Sequence, residues 1–418
     1  MTAFRVILVL FFLWGFLTCL NDILVPHFRE LFDLSYFRAV LIPTTFFTTC
    51  FVFAPIASLL IDWLGYRQTI VAGLLTMGAG ALFFLPATHA AQFAYFLVAI
   101  GVIGAGITIL QTAAAPYVAS LGPPETRPSR FSLALAFASL GTMAAPLFGG
   151  WFILRAPIET ARSVELSSPN VAVRLQLMNE ALGPYLFIGL TLLLLAAVVA
   201  FSGLPRMRVM PEPYAAARPI TNVFQHKPLI FGAIAAFLYA GAEIGIGSLL
   251  VNYLSLPEIL NVSHHHAAFL ASVYWGGAVT GRIFGWRLLR LWRVEAILFV
   301  VGTAAAVLVA ISVLCHGVTA GAAILAIGLC NALIVPIVVM LAISGLGPLT
   351  SRASSVMVAA NIGAGLIPLS LGLLADRIGV HHALAATIFC YGGVVFYAAY
   401  GSRGHLLPRV HADVQSPA

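Results

Sequence analysis

Two acidic residues lie deep inside long apolar stretches, and they are the side chains of this sequence best placed to do chemistry. Of the fourteen Asp and Glu residues, only Asp22 and Glu243 have this setting, in FFLWGFLTCLNDILVPHF and IFGAIAAFLYAGAEIGIGSLLVNYL. A carboxylate flanked by hydrocarbon is costly, so it normally faces a bundle interior or a wet cavity on an ion or substrate path. Burial also favours the neutral acid, which lets such a group gain and lose a proton. The pair predicts a transport protein.

The elements that position these carboxylates are predicted to be membrane-spanning helices. The chain is 61% hydrophobic and 8% charged, with a mean hydropathy of +1.02, whereas soluble domains contain about 25% charged residues. A span needs roughly 20 apolar residues, and it must be helical because the bilayer core has no water to satisfy the backbone. Twelve stretches qualify: 7–28, 36–61, 68–87, 91–117, 131–154, 184–203, 229–254, 265–286, 295–316, 319–345, 353–375 and 382–400.

Basic residues are distributed unevenly between the two sides of the predicted bundle. With the N-terminus in the cytoplasm, fifteen of the 21 Lys and Arg residues lie on the inner side and six on the outer side. This asymmetry follows the positive-inside rule and predicts a multi-pass protein in a lipid bilayer with both termini in the cytoplasm. The net charge of +7 is therefore an orientation signal, and no nucleic-acid partner is predicted.

The chain is predicted to consist of two six-helix halves. Residues 204–228, rich in proline and basic residues, are predicted to be a cytoplasmic linker between a first half of residues 1–203 and a second half of residues 229–418. An internal repeat supports this division, because four residues of the fifth span match four residues of the eleventh at one spacing. The matches are Ser129 with Ser351, Gly141 with Gly363, Pro146 with Pro368, and Gly150 with Gly372.

A loop between the second and third predicted spans carries a family pattern. Its sequence, SLLIDWLGYRQ, contains Asp62, Gly65 and Arg67. It resembles the cytoplasmic loop of the major facilitator superfamily, whose pattern is Gly, three residues, Asp, two residues, Gly and then a basic residue. Ser58 replaces the first glycine, so the match is partial. The resemblance implies that these residues act in conformational change.

Longer segments resemble one family of that superfamily, the fucose/glucose/galactose–cation symporters, and in particular its bacterial glucose/galactose branch. They are FLTCLNDILVPHF, GITILQTAAAPYVASLGPPET, SRFSLALAFASLGTMAAPLFG, GAEIGIGSLLVNYL, YWGGAVTGRIFG and GLGPLTSRASS. The resemblance implies an all-α major facilitator fold of twelve helices in the bacterial inner membrane. It also implies a monomer without a cofactor that couples uptake of a sugar or sugar-like small solute to a proton, with sodium as the alternative ion.

The two carboxylates receive roles from both the resemblance and their surroundings. Asp22 matches the family aspartate that takes up the coupling proton and helps hold the sugar; the alternative is an aspartate near the outer helix end that is solvated or paired with Arg29 or His27. Glu243 is predicted to couple ions or contact substrate, and the alternative is a structural pair with Arg282. The glycines at 241, 245 and 247 predict that the backbone around Glu243 opens toward a cavity.

The predicted substrate-binding residues differ from the family pattern in ways that affect specificity. Leu135 and Ala138 stand where the family usually has Gln and Asn, and Ala115 and Pro43 replace a further Asn and Gln. Because an unpaired buried polar group costs roughly 1–3 kcal/mol, a polyhydroxylated sugar needs such partners. The pocket is therefore predicted to be drier than that of the family. Its predicted lining comprises Trp14, Asn21, Gln111, Leu135, Ala138, Tyr239, Asn252, Asn331 and Asn361.

This dry pocket leaves a second transport function open, the export of a more apolar compound by proton antiport. Other classes fit less well. No Ser/His/Asp set, metal cluster or phosphate loop occurs in the predicted spans, so neither an enzyme nor a metal site is predicted. A membrane receptor would not need two intramembrane carboxylates.

Overall fold

The computed structural model describes residues 2–121, 127–154, 171–201, 225–344, 346 and 350–401. Within these ranges the chain forms fifteen α-helices and no strand, and a π-helical turn, Tyr397–Gly401, follows the last helix. The helices are α1 Thr2–Leu31, α2 Tyr36–Ala39, α3 Leu41–Leu64, α4 Tyr66–Leu82, α5 Phe84–Ala90, α6 Phe93–Ser120, α7 Arg127–Phe152, α8 Val171–Phe201, α9 Lys227–Leu254, α10 His264–Leu291, α11 Val294–Leu314, α12 Gly317–Ile343, α13 Thr350–Ala360, α14 Gly363–Ala383 and α15 Ala386–Phe396.

These helices account for all twelve predicted spans. Ten helices or joined pairs are long and apolar enough to cross a membrane, with α2–α3, α4–α5 and α13–α14 each counting as one. The other two spans are α10, which is long but contains several arginines, and α15 with its π-helical turn, which is short and apolar. The twelve-helix prediction is therefore confirmed. Most of the predicted linker lies outside the described residues.

Two groups of helices pack mainly among themselves. In the first group α1 packs on α7, and α6 packs on both α3 and α4. In the second group α9 packs on α12 and α14, while α12 also contacts α10 and α11. Glycines allow the closest approaches: a Cβ atom on Gly15 would lie 1.9 Å from the Ala138 carbonyl oxygen, and one on Gly328 would lie 1.9 Å from that of Tyr274. Small residues at such crossings are typical of helices packed within membranes.

The two groups meet through three sets of helices: α1 with α9, α7 with α10, and α2–α3 with α14. Gly150 near the end of α7 packs on Ala268 near the start of α10, and Met143 further back along α7 lies beside Gly276, so these two helices are antiparallel. We call the end of the bundle where α1 and α7 finish the closed end. We call the opposite end, where α8 finishes and α9 begins, the linker end.

Polar contacts join the groups at the closed end and half way along the spans. At the closed end His264 Nδ1 lies 3.2 Å from Glu30 Oε1, and His265 Nδ1 lies 2.6 Å from the Gly150 carbonyl oxygen. Half way along α7 the Arg282 guanidinium donates a hydrogen bond to the Ser139 hydroxyl. The candidate site lies between these two levels.

Candidate functional site

Asp22 lies where α1 of the first group contacts α9 of the second. Its side chain is 4% exposed, which contradicts a solvated position. The Ser248 hydroxyl, fully buried in α9, donates a hydrogen bond to Asp22 Oδ1 at 2.7 Å. Asp22 Oδ2 is also buried and has no hydrogen-bond partner among the described residues. One carboxylate oxygen therefore joins the two groups, and the other can accept a proton or a ligand hydroxyl.

Glycine at position 247 lets Asp22 Oδ2 lie close to the α9 backbone. A Cβ atom on Gly247 would lie 3.2 Å from this oxygen and 2.9 Å from Cζ2 of the Trp275 indole. The Asp22 carboxylate, Gly247 and Trp275 are therefore closely packed in this conformation. A larger residue at position 247 would displace the Trp275 ring or the Asp22 carboxylate.

The prediction that the glycines of α9 open its backbone was wrong. The helix is continuous from Lys227 to Leu254. Instead, Gly241 and Gly245 face α14, where added Cβ atoms would lie 2.4 and 2.3 Å from the side chains of Ile367 and Leu371. The physical reason is that a glycine surrounded by other helices removes volume rather than breaking hydrogen bonds, so it allows close packing.

Glu243 lies one and a half turns before Ser248 on α9. Its carboxylate interacts with the Tyr239 hydroxyl and is close enough to Asp22 for an electrostatic interaction. The ion pairs within 4 Å among the described residues are His264–Glu30 and Arg293–Glu295. Glu243 and Arg282 are therefore not in ion-pair contact in this conformation, and Arg282 bonds to Ser139 instead. The two carboxylates that the sequence singled out therefore lie in the same part of the bundle, with Asp22 beside Ser248 and Glu243 one and a half turns before it.

Asn331 forms the centre of a buried polar cluster inside the second group. Its Nδ2 donates to the Tyr274 hydroxyl at 2.9 Å, and its Oδ1 accepts from the Tyr391 hydroxyl at 2.9 Å. Its backbone carbonyl accepts from the Tyr239 hydroxyl at 3.0 Å. The Tyr274 hydroxyl also donates to the backbone carbonyl of Glu243, at 3.3 Å. Asn331 thereby ties together α9, α10, α12 and α15. This cluster lies on the linker-end side of Asp22.

The remaining predicted substrate-binding residues are spread over several surfaces. Asn21 is buried beside Asp22, and its Nδ2 donates to the Thr18 carbonyl at 3.3 Å. Asn252 is buried one turn beyond Ser248, and its Nδ2 has no partner among the described residues. Asn361 is exposed at the break between α13 and α14. The other four residues are partly buried: Trp14 in α1, Gln111 in α6, and Leu135 and Ala138 in α7.

The loop that resembles the superfamily pattern lies at the linker end. Gly65 separates α3 from α4 with φ of 77°, in the region that favours glycine. Arg67 Nε donates to the Val199 carbonyl at 3.2 Å, and its Nη2 donates to the Ala200 carbonyl, so it binds the last turn of α8. Asp62 is exposed and makes no hydrogen bond or ion pair with any residue in the described ranges.

A family profile described as Major Facilitator Superfamily matches residues 6–368. This chain is a member of that superfamily. It is 39% identical over 395 residues to the glucose/galactose transporter of Brucella abortus, covering 94% of this chain and 93% of the relative. It is 29% identical over 414 residues to the L-fucose–proton symporter of Escherichia coli, with 96% and 93% covered.

Solved structures of this superfamily have the same fold. FucP in its outward conformation superposes with a TM-score of 0.70 at 28% identity, covering 95% of this chain and 98% of that one. A D-xylose–proton symporter gives the same TM-score at 14% identity, with 97% and 99% covered, which supports the fold alone. The membership confirms the predicted family and fold and identifies this superfamily member as a transporter rather than an enzyme.

Sequence reasoning missed Ser248 and Trp275, which lie beside Asp22, and it gave Gly247 a different role. A serine and a tryptophan within apolar helices give no signal by themselves. Only their position opposite the Asp22 carboxylate, more than 200 residues away in the chain, gives them significance.

Proposed function

We propose that this protein is a proton-coupled symporter that imports a sugar or a sugar-like small solute by alternating access. The observation that carries the proposal is the Asp22 carboxylate, which is buried between the two helix groups with one oxygen bonded to Ser248 and the other unpartnered. The named relatives, a glucose/galactose transporter and an L-fucose–proton symporter, support the substrate class and the coupling ion.

Asp22 suits coupling because its two protonation states offer different hydrogen bonds. As a carboxylate it only accepts hydrogen bonds, and as an acid it also donates one. A sugar hydroxyl has the same donor and acceptor chemistry as the Ser248 hydroxyl. We infer that substrate and Ser248 compete for Asp22, so that substrate holds the groups apart until the proton and the solute are released.

Glu243 is proposed as a second coupling group. It lies in the same part of the bundle as Asp22, and the two carboxylates interact electrostatically. The negative charge of one carboxylate makes it more costly to charge the other, so protonation of the two groups is coupled. A proton is the proposed coupling ion, with sodium as the alternative. Either ion can bind to two carboxylates that lie near the Tyr239 hydroxyl.

The positions of Leu135 and Ala138 favour a substrate with an apolar portion. Both lie on α7, which packs along α1, and the Ala138 backbone contacts Gly15, beside Trp14 and two helical turns before Asp22. Hydrocarbon at these positions cannot pair with hydroxyls. If the solute is apolar throughout, proton antiport and export become the function, and this is the alternative that the same residues support.

We further propose a monomer in the bacterial inner membrane, with residues 1–203 and 229–418 as its two halves and residues 204–228 as a cytoplasmic linker. The Lys and Arg asymmetry supports cytoplasmic termini, which makes the linker end the inner side and the closed end the outer side. The described conformation is then closed to the outside. FucP in its outward conformation is the complementary state.

The test is uptake of labelled solutes into proteoliposomes with an imposed pH gradient. Glucose, galactose, fucose and less hydroxylated sugar derivatives form the panel, together with apolar compounds. We expect concentrative uptake of at least one sugar or derivative, driven by an inward proton gradient and unaffected by sodium. Proton-driven efflux of an apolar compound without sugar uptake would support the antiport alternative and overturn the symport.

A double variant tests the pocket separately. Leu135→Gln with Ala138→Asn restores two amides, so competition against a labelled ligand should shift toward free hexoses and away from the native solute. Wild-type protein that already binds glucose, galactose or fucose as tightly as any other compound, with no change in the double variant, would show that the pocket is not dry.

A further inference from the structure

The loop at the linker end has a second copy at the closed end. Residues 372–379, GLLADRIG, repeat the pattern of residues 58–65, SLLIDWLG, with Leu-Leu, Asp and Gly in the same positions. Asp376 corresponds to Asp62 and Gly379 to Gly65. Gly372 stands where the first copy has Ser58.

The two copies also share a backbone conformation. Gly65 has φ 77° and ψ 165°, and Gly379 has φ 81° and ψ 156°. Residues with a side chain rarely adopt such a positive φ, so both positions depend on glycine. Each glycine forms a sharp corner between two helical segments, and each aspartate lies three residues before the corner.

The copies lie at opposite ends of the bundle. α14 is antiparallel to α3, because Thr44 Oγ1 donates to the Gly365 carbonyl at 2.8 Å while Gly372 packs on Val40 and Phe37. The end of α14 is therefore beside the start of α3, at the closed end. Asp62, at the end of α3, is at the linker end.

At the closed end, Asp376 of the second copy is hydrogen-bonded to the first helix group. Asp376 Oδ1 accepts a hydrogen bond from the Tyr36 backbone N–H at 2.6 Å, and its Oδ2 accepts one from the Phe37 N–H at 3.0 Å. Gly372 permits this approach, since a Cβ atom there would lie 2.9 Å from Phe37 Cα and 3.0 Å from the Tyr36 carbonyl oxygen. Asp62, by contrast, is exposed and has no such partner among the described residues.

We propose that Asp376 is a latch that holds the closed end shut and releases when that end opens. The two acceptor oxygens of Asp376 belong to the second group, and the two backbone N–H donors belong to the first. Separation of the groups at this end must therefore break both hydrogen bonds. Hydrogen bonds to a carboxylate are stronger than those between neutral groups. Asp376 is exposed, so water can replace the lost partners and the latch is reversible. The latch acts in alternating access and does not depend on which substrate is carried.

Distance measurements between the two groups test the latch without any solute. Spin labels are attached at Gln92→Cys and Val318→Cys, two exposed positions at the closed end on opposite groups, after replacement of the native cysteines. In Asp376→Ala we expect the ratio of long to short distances to rise roughly tenfold, which matches the loss of hydrogen bonds to a charged group. Asp376→Asn keeps one acceptor oxygen and should shift the ratio less.

One control and one independent variant complete the experiment. Glu258→Ala removes another exposed carboxylate at the closed end, and it should not lengthen the distances. Gly372→Ala presses on the Tyr36–Phe37 segment and should lengthen them as Asp376→Ala does. A folded Asp376→Ala protein with the wild-type distances overturns the latch, as does an equal shift in Glu258→Ala. Since no solute is present, a failure of sugar uptake leaves this result interpretable.

Discussion

Two buried polar regions share helix α9, but their polar groups are hydrogen-bonded in opposite ways. Asp22 has one partnered and one unpartnered oxygen, and its partner Ser248 belongs to the other helix group. Asn331 has both side-chain polar atoms and its carbonyl bonded to tyrosines of its own group. A fully bonded polar cluster rigidifies its surroundings, whereas a partly bonded group is ready to change partners. The comparison indicates that Asp22 belongs to the moving part of the transporter and Asn331 to its fixed part.

The largest effect is expected from Asp22→Asn, which preserves shape and removes proton exchange. Uphill accumulation in vesicles with a pH gradient should be abolished, while exchange of labelled for unlabelled solute continues, because exchange needs no net change in protonation. Asp33→Asn makes the same chemical change at an exposed residue beyond α1 and should leave accumulation intact. Concentrative uptake by Asp22→Asn at the wild-type level would disprove its coupling role.

Asn331→Leu should reduce stability more than it reduces binding. It leaves the Tyr391 hydroxyl without its acceptor and removes a donor to Tyr274, and each unsatisfied buried group costs roughly 1–3 kcal/mol. We expect a lower unfolding temperature in detergent, with near-normal ligand affinity in the folded fraction. Asn361→Ala, at an exposed position, should change the unfolding temperature little. A stable Asn331→Leu protein that no longer binds solute would make Asn331 a ligand-binding residue and reverse the comparison.

Glu243 lies between the two regions, and the variant Glu243→Gln tests to which of them it belongs. The amide keeps a hydrogen-bonding group near Tyr239 but cannot exchange a proton. We expect a folded, monodisperse protein with weaker proton-driven uptake than wild type, though with less complete loss than in Asp22→Asn. An unfolded variant that is rescued by a compensating change at Arg282 would instead assign Glu243 to a structural pair in another conformation.

Ser248→Ala should have the smallest effect, because the lost hydroxyl is one of two competitors for Asp22. Without it the closed conformation loses a single hydrogen bond, so apparent solute affinity should rise by on the order of tenfold or less. Ser312→Ala is the matched control, since this buried hydroxyl donates a hydrogen bond to the Val309 carbonyl on its own helix and not to the other helix group. Equal effects in the two variants would show that the contact between groups is incidental.

The sequence predicted the bundle well because its determining signal is local. Each span is recognisable from its own apolar length, so twelve helices and the family follow from single stretches of chain. The two intramembrane carboxylates were predictable for the same reason, because a charge in an apolar stretch is visible without any partner.

Partners across the bundle could not be predicted in this way. Which residue faces Asp22 depends on how α9 rotates and slides against α1, and that is set by glycine contacts with α14. The same contacts explain the wrong prediction for α9. In a single sequence, the spacing of Gly245 and Gly247 is compatible with a broken helix or with a groove for a neighbouring side chain, and only the neighbours Leu371 and Trp275 decide between them.

The position of Trp275 has a practical consequence for spectroscopy. Its indole is 7% exposed and packs beside Gly247 and Asp22, whereas Trp63, Trp151 and Trp292 are 77%, 48% and 59% exposed. Separation of α9 from α1 would admit water next to this ring and alter its emission. The native chain therefore contains a fluorophore that reports the separation of α9 from α1. Stopped-flow fluorescence can follow this movement without an attached dye.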